Sequence, residues 1–230
     1  MDLVHPAVSA YLGRLSRLPH PQLDIVAREG RADGLPIVAP HTGALLHALV
    51  RMTRARRVLE IGTAIGYSTI WMGTALPTDG LLISLERDPE RAARAREHLR
   101  AAGLDTAASV MVGDASRFLH KIAGPFDVIF QDGDKPGYLT MLDRLHALLA
   151  PGGVLVTDNV LWSGAVVPGF PLEADRPRAD TEAIAAYNTR LSEDPRFETV
   201  WLPIGDGVSI STRIDAGDAG RVPHEAGSEA

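Results

Sequence analysis

The 230-residue sequence contains no cysteine, which excludes disulfides, thiolate metal sites and cysteine nucleophiles together. It has no apolar run long enough to span a bilayer. Residues 1–13 show no basic segment followed by an apolar core, the pattern of a secretory leader. No segment repeats. Positive charge is not in excess either: the net charge is -6, which argues against nucleic acid or an anionic membrane as the main partner. These absences leave a cytoplasmic globular protein as the expectation. With 45% of residues hydrophobic and 23% charged, the composition is that of an ordinary soluble chain, and the length suits one substantial domain rather than two.

The chain changes character near residue 56. Before it, Leu, Val, Ile and Tyr recur at helical spacing, broken by Pro19 and Pro21, which predicts one or two short helices and another from about Pro40 to Val50. Beyond it, short apolar runs at 58–61, 81–85, 109–112, 127–130 and 153–157 alternate with amphipathic stretches such as 89–102, which Gly103 ends. That alternation predicts an α/β fold with a parallel sheet covered on both faces. Two more runs, 198–204 and 208–213, flank Gly205-Asp206-Gly207, so a hairpin should bring the last strand in antiparallel. The expected domain is 1–214, with N-terminal helices over 1–55 and the α/β core over 56–214. Residues 215–230, rich in Gly, Ala and charge, are expected to form a disordered tail.

The first strand runs into Glu60-Ile61-Gly62-Thr63-Ala64-Ile65-Gly66-Tyr67-Ser68 and then a helix. Open parallel sheets bind ligands beyond the carboxyl ends of their strands, where a Gly-rich turn admits close approach to the backbone. Glu86 ends the second strand, placed to accept hydrogen bonds from ribose hydroxyls. The loop lacks the middle glycine of a dinucleotide fingerprint, and its Glu60 would repel a pyrophosphate but attract the cationic amino group of S-adenosylmethionine. Gly113-Asp114-Ala115 ends the third strand, where a small residue leaves room for adenine and Asp114 can meet the exocyclic amine.

The fourth strand ends in Gln131-Asp132-Gly133-Asp134-Lys135 and the fifth in Thr157-Asp158-Asn159. Adjacent parallel strands converge on one edge, so Asp132, Asp158 and Asn159 can share a site. Asp and Asn also serve as N-caps and turn formers, and it is the pairing of two such strand ends beside a cofactor loop that favours a site. Three oxygen ligands without His or Cys suit a hard cation, Mg2+ before Ca2+ or Mn2+. Beside that cation and a sulfonium, Lys135 would have its protonated form disfavoured, making it a candidate base.

On these motifs the sequence resembles the cation-dependent O-methyltransferases, the family of caffeoyl-CoA and catechol O-methyltransferases, and is most similar to their small bacterial members. The likeness runs from Ile37-Val38-Ala39-Pro40 to Gly205-Asp206-Gly207, and is most specific over 58–68, 132–135 and 158–164. It implies a Rossmann-like S-adenosylmethionine methyltransferase fold, with seven strands, mostly parallel, and extra N-terminal helices. By the same resemblance, Glu60, Gly62, Thr63 and Ser68 hold the methionine part of the cofactor with Val38 near, and Glu86 holds the ribose. Asp114 and Ala115 flank the adenine, and Asp132 and Asp134 complete the cofactor contacts. Asp132, Asp158 and Asn159 are its metal ligands, Asp132 and Lys135 its catalytic residues, and Trp162 a wall against a small hydroxylated aromatic acceptor. A homodimer through the N-terminal helices is also implied.

Two departures stand out: Gln131 and Gly133, where the family commonly has an apolar residue and an alanine. Residues 164–180, with Arg176 and Arg178, lie where members differ in acceptor. The same chemistry on a non-catechol natural-product hydroxyl, an NAD-binding oxidoreductase and a non-catalytic binding protein remain as alternatives.

Overall fold

The computed structural model describes residues 4–171 and 176–214; the expected tail lies outside them. Helices α1 (Pro6–Leu15), α2 (Gln22–Ala32) and α3 (Pro40–Met52) come first, with α1 and α2 on either side of Pro19 and Pro21. The core then alternates through β1 (Arg57–Ile61), α4 (Tyr67–Gly73), β2 (Leu81–Glu86), α5 (Pro89–Ala101), β3 (Ala108–Val112) and the short α6 (Ala115–Phe118). There follow β4 (Phe126–Gln131), α7 (Gly137–Leu148), β5 (Leu149–Asp158), α8 (Arg178–Ser192), β6 (Phe197–Leu202) and β7 (Val208–Arg213). Helix α5 shows why the boundaries were legible. Asp88 caps it, accepting from the backbone N–H groups of Glu90 (2.8 Å) and Arg91 (3.1 Å); Pro89 opens it, and left-handed Gly103 follows its end. Such a cap contributes about 1 kcal/mol.

The seven strands form one sheet in the order β3-β2-β1-β4-β5-β7-β6. Strands β1 to β5 pair in parallel, and β7 pairs antiparallel with both β5 and β6, as expected for the closing hairpin. The hairpin loop is longer than an Asp-Gly pair: residues 203–207 connect the strands, with Gly205 and Gly207 left-handed. One apolar core, with Leu46, Ile70, Trp71 and Leu99, packs α2 to α5 on one face; the other, with Tyr138, Leu142, Ile184 and Tyr187, packs α7 and α8 on the opposite face. Strands covered on both sides must be apolar, the reason for the unbroken runs at 128–130 and 154–156.

Register fixes what meets at the carboxyl edge. Ile61 lies level with Leu85 and Gln131, and Gln131 with Thr157. The next residue of each strand is therefore Gly62, Glu86, Asp132 or Asp158, four ligand-competent positions in one row. No helix among the described residues is long and apolar enough to cross a membrane.

Candidate active site

A cavity of about 790 Å³ opens along that row, within the range of small-molecule and cofactor sites. Val38, Gly62, Glu86, Asp114, Ala115, Asp132, Asp134, Lys135, Asp158, Asn159 and Trp162 all line it. Glu60, Thr63 and Ser68, placed around the methionine by the resemblance, do not. Glu60 is fully buried, and its carboxylate accepts hydroxyl hydrogen bonds from Ser68, Thr69 and Ser84, each at 2.5 Å. Thr63 bonds Ser84 in the same buried cluster. The side chain of Glu60 leaves the sheet towards α4, not along the strand direction, so the carboxylate braces the loop from behind. Ser84 and Thr69 were missed; Ser84 is legible only once β1 and β2 are aligned, because it stands level with Glu60.

Burial pushes the Glu60 carboxyl up to about 7, the three hydroxyl bonds offsetting only part of the cost. Below the ordinary glutamate range both folded and unfolded states are protonated. Between that range and about pH 7 the folded state binds more protons, so stability falls as pH rises, by at most about 3 kcal/mol. Glu60→Gln is expected to flatten this decline, with thermal melting at pH 5 and pH 8 as the measurement. An equal decline in variant and native protein would count against the assignment.

At the carboxyl end of β2, Glu86 accepts from the backbone N–H of Ala64 (2.8 Å) and Asp88 (3.0 Å), tying the loop to β2 while still facing the cavity. Asp114 precedes α6 and accepts from the Ser116 hydroxyl, which holds its carboxyl below the usual range. Asp134, well exposed, pairs with Arg87 across the mouth.

At the other end, Lys135 Nζ joins the strand ends. It donates to Asn159 Oδ1, to Tyr138 Oη at 2.9 Å, to the Gly133 carbonyl at 3.2 Å and to Asp132 Oδ1 at 3.3 Å. Tyr138 in turn donates to the Asp158 carbonyl at 3.2 Å. Burial, with Asp132 and Asp158 near, keeps its hydroxyl well above the usual tyrosine range, so it remains a donor. Asp158 Oδ1 accepts from the backbone N–H of Asn159 (2.9 Å), and Asn159 is left-handed at φ +63°. Burial holds both Asp132 and Asp158 above the usual carboxylate range; Asp132 raises Asp158 further, whereas Lys135 partly offsets the shift at Asp132.

A buried carboxylate, Asp158, beside the partly buried Asp132 is costly without a counter-charge. With the adjacent amide oxygen they form the donor set of a hard divalent cation, so Asp132, Asp158 and Asn159 fit that group. Among the described residues no cluster of three or more His, Cys, Asp or Glu gathers as a metal site, and the third oxygen of this set is an amide. Trp162 packs between cations, with Lys135 Nζ 5.6 Å and Arg176 Cζ 4.8 Å from its ring centroid. Arg176, Asp206 and Tyr138 were not foreseen as site residues. Gln131 is wholly buried and satisfied: it donates to the Tyr138 carbonyl (3.4 Å) and accepts from Thr157 (3.4 Å), whose hydroxyl meets that of Tyr187 at 2.7 Å.

A model of the O-methyltransferase family matches residues 29–214. The catechol O-methyltransferase of Niastella koreensis is 42% identical over 140 residues, a span of 58% of this chain and 63% of that enzyme. The caffeoyl-CoA O-methyltransferase of Medicago sativa is 34% identical over 180 residues, 75% of this chain and 72% of that one. Among solved structures, the O-methyltransferase TomG of Streptomyces achromogenes, involved in tomaymycin synthesis and determined in complex with SAM, is similar with a TM-score of 0.79. It is 31% identical, and the match covers 91% of this chain and 96% of that one.

Proposed function

Because this chain belongs to the O-methyltransferase family, we propose that it transfers the methyl group of S-adenosylmethionine to a hydroxyl of a small aromatic bearing vicinal oxygens, with a divalent cation held by Asp132, Asp158 and Asn159. The observation that carries this reading is the convergence of the buried carboxylate of Asp158, the partly buried one of Asp132, one amide oxygen and the Lys135 amine at the end of a cofactor-sized cavity. Family membership sets aside the oxidoreductase alternative.

The cofactor's methionine end would lie over Gly62 and Ala64, its ribose at Glu86 and its adenine beside Asp114 and Ala115, with Val38 closing the near wall. The acceptor ring would lie against Trp162. When bound, the cation supplies positive charge that makes an aromatic hydroxyl more acidic and fixes two neighbouring oxygens. Lys135 Nζ, in its neutral form, would take the hydroxyl proton. The oxygen then attacks the methyl carbon in line with the sulfur; the S–CH3 bond breaks as the O–CH3 bond forms, and S-adenosylhomocysteine leaves. Holding the two reactants in that line is the main source of acceleration.

Lys135→Met is expected to lower kcat by roughly 10²- to 10⁴-fold, the ordinary contribution of a positioned base, with little change in cofactor affinity. Steady-state kinetics with calorimetry would show this; a native kcat in the variant would remove Lys135 from the mechanism. Acceptor class is tested by assaying phenols with and without vicinal hydroxyls. Equal rates on both sets would favour a second reading, transfer to a non-catechol hydroxyl of a natural-product intermediate. We also propose a homodimer through the N-terminal helices. Val8, Tyr11, Leu12 and Leu15 of α1 are exposed at helical spacing, a face that a second copy would cover.

A further inference from the structure

The turn Gly205-Asp206-Gly207 does more than close a hairpin. Asp158 of β5 stands level with Val208 of β7 in the antiparallel pairing. Residues just before Val208 therefore lie beside those just after Asp158. The segment after Asp158 is conformationally costly: Asn159, Trp162 and Ser163 are left-handed, with φ of +63°, +48° and +54°. Non-glycine residues keep such angles only where their surroundings over-determine them.

The turn supplies that determination. The Gly207 carbonyl accepts from Val160 N–H and the Asp206 carbonyl from Leu161 N–H, each at 3.1 Å. The Asp206 carboxylate accepts from Ser163 N–H. Arg176 donates to Ser163 Oγ, lies 3.8 Å from Asp206 Oδ2 and covers the Trp162 ring. Gly207 is required for this approach, since a Cβ there would lie 2.6 Å from Leu161 N. Asp206 and Arg176 both line the cavity.

We propose that Asp206 is a positioning residue for acceptor binding: its carboxylate, by accepting from Ser163 N–H and anchoring Arg176, fixes the left-handed segment that presents Trp162 to the acceptor. The link to the acceptor rests on the function proposed above; the latch itself does not. The two backbone bonds from the turn survive any substitution at 206, so a variant should disturb the Trp162–Ser163 end and leave the cofactor end intact.

The test compares Asp206→Ala with Asp206→Asn in the full chain. In Asp206→Ala, amide hydrogen exchange over residues 160–164 is expected to quicken by about tenfold or more in the unliganded protein, as a lost partner for Ser163 N–H implies. KM for catechol should rise by about tenfold with S-adenosylmethionine affinity unchanged, measured by calorimetry. Asp206→Asn keeps an oxygen for Ser163 N–H and should recover most of both effects. Unchanged exchange in Asp206→Ala would overturn the latch whatever the acceptor is. Equal impairment of the two variants would overturn it too, as would a parallel loss of cofactor affinity. If catechol is not a substrate, exchange alone decides the latch, and the failure falls on the proposed acceptor instead.

Discussion

Asp158→Ala is expected to reduce kcat/KM for methyl transfer by about 10³-fold or more while leaving affinity for S-adenosylmethionine nearly native. A bound cation contributes several kcal/mol to stabilising charge in the transition state, and about 4 kcal/mol corresponds to a factor near 10³. Asp158 is almost wholly buried beside Asp132, with one oxygen held by Asn159 N–H. The proposed cofactor positions, Gly62, Glu86 and Ala115, lie on other strand ends, which is why binding should persist. The variant should also be informative through its stability. Burial and the neighbouring Asp132 both disfavour a charge on Asp158, so removing its carboxyl relieves a cost, and the metal-free variant should melt no lower than the metal-free native protein. Added Mg2+ should raise the melting temperature of the native protein, because a ligand that binds only the folded state stabilises it, and should not raise that of Asp158→Ala. Inactivity accompanied by a large drop in melting temperature would mean instead that Asp158 is structural.

Gly62→Ala should be the most damaging change of a single methyl group. Gly62 is left-handed at φ +95°, and a Cβ there would sit 2.2 Å from the Asp132 carbonyl oxygen and 2.7 Å from its carbon. Neither side can yield cheaply. Gly62 N–H donates to the Leu85 carbonyl at 3.0 Å and Asp132 N–H to the Ile61 carbonyl at 2.8 Å, so both belong to the sheet ladder. Left-handed strain and overpacking together cost about 2–5 kcal/mol, or roughly 10 °C in melting temperature for a chain of this size. The displaced atoms are the backbone of the cofactor loop and of a proposed metal ligand, so cofactor and Mg2+ affinity should fall together, as read by calorimetry on the folded fraction. Native affinity for both would show that the loop tolerates a displacement the packing forbids.

Much of this architecture is readable in the residues. Parallel strands buried on both faces must be short apolar runs, and five of them are. Their carboxyl ends carry Gly62, Glu86, Asp132 and Asp158 because an edge where backbone groups are left unpaired is where ligand-binding residues can be held. What could not be read depends on direction and on distant contacts. Glu60 announces a charge at the turn, but only the pleat of β1 shows that it points into α4 towards Ser68 and Thr69. Asp206 reads as a turn former, and its bond to Ser163, 43 residues earlier, follows from the β5–β7 register, to which no local spacing points. Arg176 covers the Trp162 ring, a contact to which no periodicity in the sequence points.

The central claim, methyl transfer that requires a cation at Asp132, Asp158 and Asn159, is tested most directly by the initial rate of catechol methylation after exhaustive dialysis against EDTA. The rate should fall to background and return on adding Mg2+ to the native enzyme, but not to Asp132→Ala or Asp158→Ala. An undiminished rate in the stripped enzyme would contradict it.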